Sequence, residues 1–289
     1  MNGFKDVPFV IGMMGLHRHD ELLATSRLAD WLEARIDQEL CWFDHADIYA
    51  KGDSERHFGA ALKARPSLRS HVKVITKAGL IPAQLDTSRY QVKHYNTHPD
   101  YLNQSIDNAL QRLNVDHIDC FLLHRPDPLI DDEATARVLD DAIEAGKIGA
   151  AGVHGFLPAQ WRRIQSLMHH PLALHEMELS VARSQPLFDG LWDALRLDGL
   201  TLLARSPLCG GRLFENQLGH LLGELAQEHN ASPAGIGLAW LRRIPGHPVP
   251  VVGTLREARL QALRNDADVH LDRCAWFALL EAARAHRVR

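Results

Sequence analysis

Residues 42–55 read W-F-D-H-A-D-I-Y-A-K-G-D-S-E. The stretch opens as a short apolar run, passes through Asp44, and enters a loop carrying Tyr49 before Gly52 and Asp53 lead into a helical pattern. An acid at the end of a strand and a phenol five residues later in the following loop can converge on one pocket. Two further groups occupy matching places. Lys77 closes the run V-K-V-I-T-K and His124 closes I-D-C-F-L-L-H. All four stand where a strand hands over to a loop, and that regularity is the main clue to the fold.

Outward from this stretch, short apolar runs alternate with amphipathic patterns from end to end. The runs at 8–11, 42–46, 72–76, 118–123, 150–153, 173–178, 200–204 and 248–252 predict eight strands. The patterns at 21–36, 55–64, 101–113, 133–145, 158–168, 187–197, 233–243 and 256–263 predict a helix after each. Asp53 before Glu55, Ser232 before Pro233 and Gly146 after Ala145 supply helix-end signals. Strand followed by helix, eight times over, is the rhythm of a closed (β/α)8 TIM barrel. Two further helices are expected around 217–228 and 272–285. No repeat and no Pro/Gly-rich linker divides the chain, so residues 1–289 are expected to form one such domain. An open doubly wound sheet is the competing fold, but Gly12 and Gly15 do not extend to its third glycine.

Composition narrows the function classes. With 46% hydrophobic and 24% charged residues and a formal net charge of -4, nothing points to nucleic acid or an anionic membrane. The apolar run at 7–16 is broken by Gly12 and Gly15 and lacks an A-x-A cleavage pattern, which suits a first strand better than a signal peptide. No segment approaches the roughly 18 uninterrupted apolar residues of a membrane span. Cys41, Cys120, Cys209 and Cys274 have no C-x-x-C spacing and read as reduced thiols of a cytoplasmic protein. His17 with His19, and His169 with His170, lack a ligand set of known spacing, so no metal site is expected.

In a barrel of this kind the strand C-termini share one face, where active sites are built. Asp44, Tyr49, Lys77 and His124 are therefore expected to line one pocket. A phenol has a pKa of about 10 and is a poor acid at neutral pH. A nearby Lys ammonium favours the phenolate, and an Asp paired to that Lys keeps it charged and in place. Tyr49 can then give a proton to a carbonyl oxygen as charge develops there, with His124 hydrogen-bonding or orienting the same oxygen. Taken singly, each residue has an ordinary structural reading: a core carboxylate, a loop aromatic, a solvated strand end, a structural histidine. Four at equivalent strand ends make coincidence a poor explanation.

The strings F-D-H-A-D-I-Y, I-T-K-A-G, L-L-H-R-P-D-P, E-A-G-K-I-G-A-A-G-V and S-P-L-C-G-G-R-L-F, in this order, resemble the aldo-keto reductases, above all a bacterial branch with short loops. The resemblance runs over essentially the whole chain. It implies a (β/α)8 barrel that binds NADP(H) without a Rossmann fingerprint and transfers a hydride to an aldehyde or ketone. It also implies Tyr49 as general acid, Lys77 and Asp44 as the groups that tune it, and His124 as the group that positions the carbonyl. The partner implied is a small carbonyl substrate, and the protein is expected to be a monomer or a weak homo-oligomer.

The nicotinamide side departs from the family pattern. Where the family has Ser-Asn after strand five, this chain has His154 and Gly155; where it has Gln after strand six, Glu176; where it has a stacking aromatic after strand seven, Arg205. Each lost hydrogen bond costs about 0.5–1.5 kcal/mol, and the lost stack a similar ~0.5–1.5 kcal/mol. An ion pair between Glu176 and Arg205, with His154 bonding the amide, is the expected compensation. The same replacements leave a second reading open, a cofactor-impaired barrel with a regulatory or other ligand-binding role. The adenosine side keeps more of the pattern. V-V-G-T-L-R-E-A-R-L places Thr254, Arg256 and Arg259 for the 2′-phosphate, and Ser206, Leu208 and Gly210 fall where the pyrophosphate lies.

Overall fold

The computed structural model describes residue 4 and residues 6–284. Its strands are β1 (Val10–Gly12), β2 (Trp42–Asp44), β3 (Lys73–Ala78), β4 (Leu80–Ile81), β5 (His94–Tyr95), β6 (Cys120–Leu123), β7 (Ala151–His154), β8 (Leu174–Glu178), β9 (Thr201–Arg205) and β10 (Val249–Val252). Eight of them form a closed barrel in the order β1-β10-β9-β8-β7-β6-β3-β2. Each overlaps one of the apolar runs. The helices are α1 (Asp20–Leu23), α2 (Thr25–Ile36), α3 (Asp53–Ala64), α4 (Pro99–Leu113), α5 (Asp132–Glu144), α6 (Pro158–Gln165), α7 (Leu191–Leu197), α8 (Asn216–Glu228), α9 (Pro233–Arg242), α10 (Glu257–Asn265) and α11 (Arg273–Arg284).

Parallel strands covered on both faces read as near-continuous apolar runs. Every residue of β1, β2, β6, β7 and β10 is accordingly buried. By contacts the chain falls into two compact units. Gly12–His175 makes up the first, in which β2 pairs with β3, β3 with β6 and β6 with β7, all parallel. The second comprises the described residues up to Ile11 and from Glu176 onward, in which β1 pairs with β10 and β10 with β9.

Several details differ from the expectation. The pattern at 21–36 is two helices, because Ala24 is extended (ψ 126°) and its carbonyl takes the Leu28 amide to start α2 afresh. The run at 7–16 gives a strand only over β1 and then a 3-10 turn, Met13–Arg18. The cap of α3 is Gly52 at φ 88°, a left-handed conformation glycine takes without penalty, and Asp53 lies inside the first turn. Within residues 79–99, β4 and β5 form an antiparallel pair. The Ser232 hydroxyl does cap α9, accepting the Gly235 amide at 3.0 Å, and Gly146 follows α5 at φ 72°. Ala285, the expected end of the last helix, lies outside the described residues.

Helices α3 and α4 approach closely at Gly59. A Cβ added at Gly59 would overlap the carbonyl oxygen of Arg112 and press on the backbone of Leu113. Backbone cannot yield as a side chain end can. Gly59→Ala should therefore lower unfolding free energy by about 1–3 kcal/mol in a denaturant titration; an unchanged midpoint would show that the two helices have slack.

Candidate active site

Along β3, alternate side chains point to opposite faces. Thr76 donates to Glu55 of α3 at 2.5 Å, so it faces the helix layer, and Lys77 faces the other way. Lys77 is wholly buried, with Asp44 as its ion-pair partner and the His45 carbonyl accepting a second hydrogen bond at 3.0 Å. An ammonium without water keeps its charge only when paired in this way. Its Nζ lies 5.7 Å from the centroid of the Tyr49 ring. Asp44, Lys77 and Tyr49 are thus brought together.

The loop that presents Tyr49 is strained. Ala50 and Lys51 have φ 49° and 58°, followed by Gly52 at 88°. Left-handed backbone costs roughly 1–2 kcal/mol for a residue with a Cβ, and such strain persists where surrounding contacts impose it. One such contact is the Asp47 amide, which donates to the Lys77 carbonyl at 3.0 Å.

His124 follows β6, and its amide donates to Ala78 at 2.8 Å, which sets it level with the end of β3. Leu123 is in register with Val153, so the next residue on each strand meets the other. The rings of His124 and His154 stack at 5.2 Å with 25° between planes, both nearly buried. At Gly155 (φ 69°) a Cβ would meet the Arg125 guanidinium, which fills the place a side chain would take.

Several groups of this region were not singled out from sequence. Glu55, wholly buried, accepts from Thr76 and from Arg112 Nε at 2.6 Å, bracing α3 against β3 and α4. His45 is buried with its Nδ1 3.4 Å from Ser54 Oγ and its ring edge-on to Phe58. Burial, and then the Lys77 charge, push its pKa down to about 3, so it is neutral. The available signal was position alone, since His45, Asp47 and Glu55 all lie within the 42–55 stretch.

The cofactor candidates of the second unit fall into two groups. Glu176 is wholly buried in β8. Arg205, at the end of β9, makes its ion pair with Glu178 at 3.7 Å and donates to Ser206 Oγ at 3.2 Å, where the sequence suggested Glu176 as partner. Register explains the correction. The Leu179 amide bonds the Arg205 carbonyl, so Arg205 is level with the end of β8 and Glu176 lies two residues deeper, roughly 6–7 Å.

The second group has the chemistry of a phosphate site. Ser206 (φ 52°), Cys209 (47°), Gly210 (66°) and Gly211 (96°) make a loop of left-handed backbone, and a Cβ at either glycine would meet nothing. Leu208 anchors it, its Cδ2 3.0 Å from a Cβ placed at Gly237 of α9. Beyond β10, Gly253 is likewise open, and Arg256 begins α10 with no side chain capping the helix. Thr254 Oγ1 accepts the Arg256 amide at 3.4 Å. Arg256 and Arg259 are exposed and make no ion pair with any described residue. Two guanidiniums without an ion-pair partner among the described residues, a hydroxyl and an uncapped helix start suit a phosphate monoester.

Residues 8–281 match the profile of the Aldo/keto reductase family. The chain is 34% identical over 255 residues to a 6-dehydroglucose reductase of Agrobacterium fabrum, covering 87% of this chain and 86% of that one. It is 33% identical over 285 residues to the oxidoreductase YdhF of Escherichia coli, covering 97% and 94%. Among solved structures, an aldo/keto reductase from Klebsiella pneumoniae in complex with NADP and acetate superposes with a TM-score of 0.78 at 21% identity, covering 98% of this chain and 96% of that one.

Two stability outcomes follow from the charges. Asp44→Asn leaves the buried Lys77 without its counter-charge and should cost about 3–5 kcal/mol in unfolding free energy. His45 binds its proton far more weakly folded than unfolded, so its contribution is present above the ordinary value of about 6.5 and is lost as pH falls toward 3. His45→Gln should therefore lose less stability than the wild type between about pH 6.5 and 4 in thermal melts; an equal loss would place the acid sensitivity elsewhere.

Proposed function

This chain belongs to the aldo/keto reductase family, and on that premise we propose that it reduces an aldehyde or ketone to an alcohol with NADPH, Tyr49 giving the proton. The observation that carries this reading is the Lys77 ammonium, fixed by Asp44, 5.7 Å from the Tyr49 ring. That charge favours the phenolate left behind when the proton has gone, and so makes the phenol a stronger acid. His124, nearly buried and steadied by the His154 ring, orients the carbonyl oxygen. NADPH, when bound, supplies the hydride. Thr254, Arg256 and Arg259 hold its 2′-phosphate, Ser206, Leu208 and Gly210 its pyrophosphate, and His154, Glu176 and Arg205 serve the nicotinamide end. Arg205 is engaged by Glu178, which limits what it offers the nicotinamide.

The 6-dehydroglucose reductase relative makes an oxidised sugar the first substrate to test. No helix among the described residues is long and apolar enough to cross a membrane, and all four cysteines are free. Free thiols support a cytoplasmic setting, and we take the working form to be a monomer or loosely associated.

A second reading, a barrel that no longer binds nicotinamide and serves another ligand, is favoured only by the replacements at positions 154, 155, 176 and 205. Tyr49→Phe separates the two. It should lower kcat by about 10²–10⁴-fold while NADPH affinity, read by tryptophan fluorescence, stays within about twofold. Full activity in that variant would remove Tyr49 as the acid, and a wild type that binds no NADPH would favour the second reading.

A further inference from the structure

Asp47 stands between Asp44 and Tyr49 in the chain, yet its surroundings are unlike those of Asp44. Its amide ties the Tyr49 loop to the Lys77 carbonyl. Its Oδ2 lies 3.3 Å from the Tyr101 hydroxyl of α4, and that hydroxyl is also hydrogen-bonded by the Ser105 side chain and the Gly79 backbone. Its Oδ1 is buried with no hydrogen-bond partner among the described residues.

The charged and titratable groups facing Asp47 are Glu55 from α3, Arg112 and Tyr101 from α4, and Lys77 from β3. Neither cation pairs with it among the described residues, although the Arg112 charge favours its ionised form. Lys77 is committed to Asp44, and Arg112 to the buried Glu55. An ionised Asp47 would put a second negative charge beside Glu55 in a buried place, a cost that a neutral carboxyl avoids and that the Tyr101 hydroxyl and the Ile48 amide offset only in part.

We propose that Asp47 is a positioning residue that works in its protonated form, holding the Tyr49 loop against β3 and α4, and that its ionisation lowers the rate of carbonyl reduction. The reading rests on Tyr49 as the acid. A charge gained two residues from Tyr49 opposes Lys77, because it disfavours the phenolate that forms as the proton leaves. Burial first, and then Glu55, lift the Asp47 carboxyl to about 7, while Arg112, the Tyr101 hydrogen bond and the Ile48 amide act against them. Tyr101 is pushed up to about 12, by burial first and then by Asp47, so it stays a hydroxyl throughout the working range.

The test compares wild type, Asp47→Asn and Asp47→Ala by the pH profile of kcat/KM for NADPH-dependent carbonyl reduction and by the pH dependence of Tm. Asparagine copies the shape of the neutral carboxyl and cannot ionise. At about pH 6 the Asn variant should keep kcat/KM within about twofold of wild type, and its alkaline decline should begin at least about one pH unit higher. The Ala variant should lose about tenfold or more at every pH. An unmoved alkaline limb in the Asn variant, equal losses in Asn and Ala at pH 6, or an undiminished Ala variant would each overturn the proposal.

Stability gives a readout independent of turnover. The folded value lies above the ordinary carboxyl value of about 3.9, so the contribution of Asp47 is present at low pH and is lost as pH rises through about 7. Between about pH 5 and 8 the wild-type Tm should therefore fall more than that of the Asn variant. Parallel Tm curves would sink the proposal even if the chain proved to have no reductase activity.

Discussion

A buried ammonium is a demanding thing to build, and much of the first unit is arranged to keep the one on Lys77 charged. The residue is wholly buried, so its charge survives only through Asp44 and the His45 carbonyl. That requires β2 beside β3, in the register that sets Asp44 against Ile75, with Lys77 two residues farther along. It also requires the alternation that sends Thr76 to the helix layer, where Glu55 and Arg112 complete a separate buried pair. Breaking either pair would leave a charge in a place with no water to receive it.

The same region shows how neighbouring residues acquire different charge states from their surroundings. Asp44 is the anion of an ion pair. His45, next in the chain, faces Ser54 and Phe58 and is held neutral by burial and by the Lys77 charge. Asp47 faces Tyr101 and Glu55 and is pushed toward neutrality. Three titratable groups within four positions thus meet one cation, one apolar wall and one like charge. The loop that follows pays for its placement with the left-handed Ala50 and Lys51, and Tyr49 is what that strain presents.

How much of this was legible depended on whether the pattern is local. The eight barrel strands are apolar runs because both faces are buried, and β6 and β7 could be read from sequence to within a few residues. Four chemical side chains at strand ends were likewise visible, and Lys77, Asp44 and Tyr49 do meet. The β4 and β5 pair was not, since two-residue strands carry no periodicity. The break at Ala24 was hidden because alanine favours helix and nothing in the pattern marks a stop. Nor was the partner of Arg205, because choosing Glu178 over Glu176 needs the register of β8 against β9. The neutral states of His45 and Asp47 come from burial and from α3 and α4, which no reading of residues 42–55 alone supplies.

If Tyr49 gives the proton, as proposed, the Asp44–Lys77 pair should make it a stronger acid than an ordinary phenol. With four tyrosines in the chain, ¹³Cζ-tyrosine labelling yields few signals, and Tyr49→Phe assigns the one of interest. In the wild type this signal should titrate below the ordinary value of about 10, Lys77→Met should move it upward, and Tyr101 should titrate well above it. A Tyr49 signal at or above about 10 in the wild type, unmoved by Lys77→Met, would contradict the proposal.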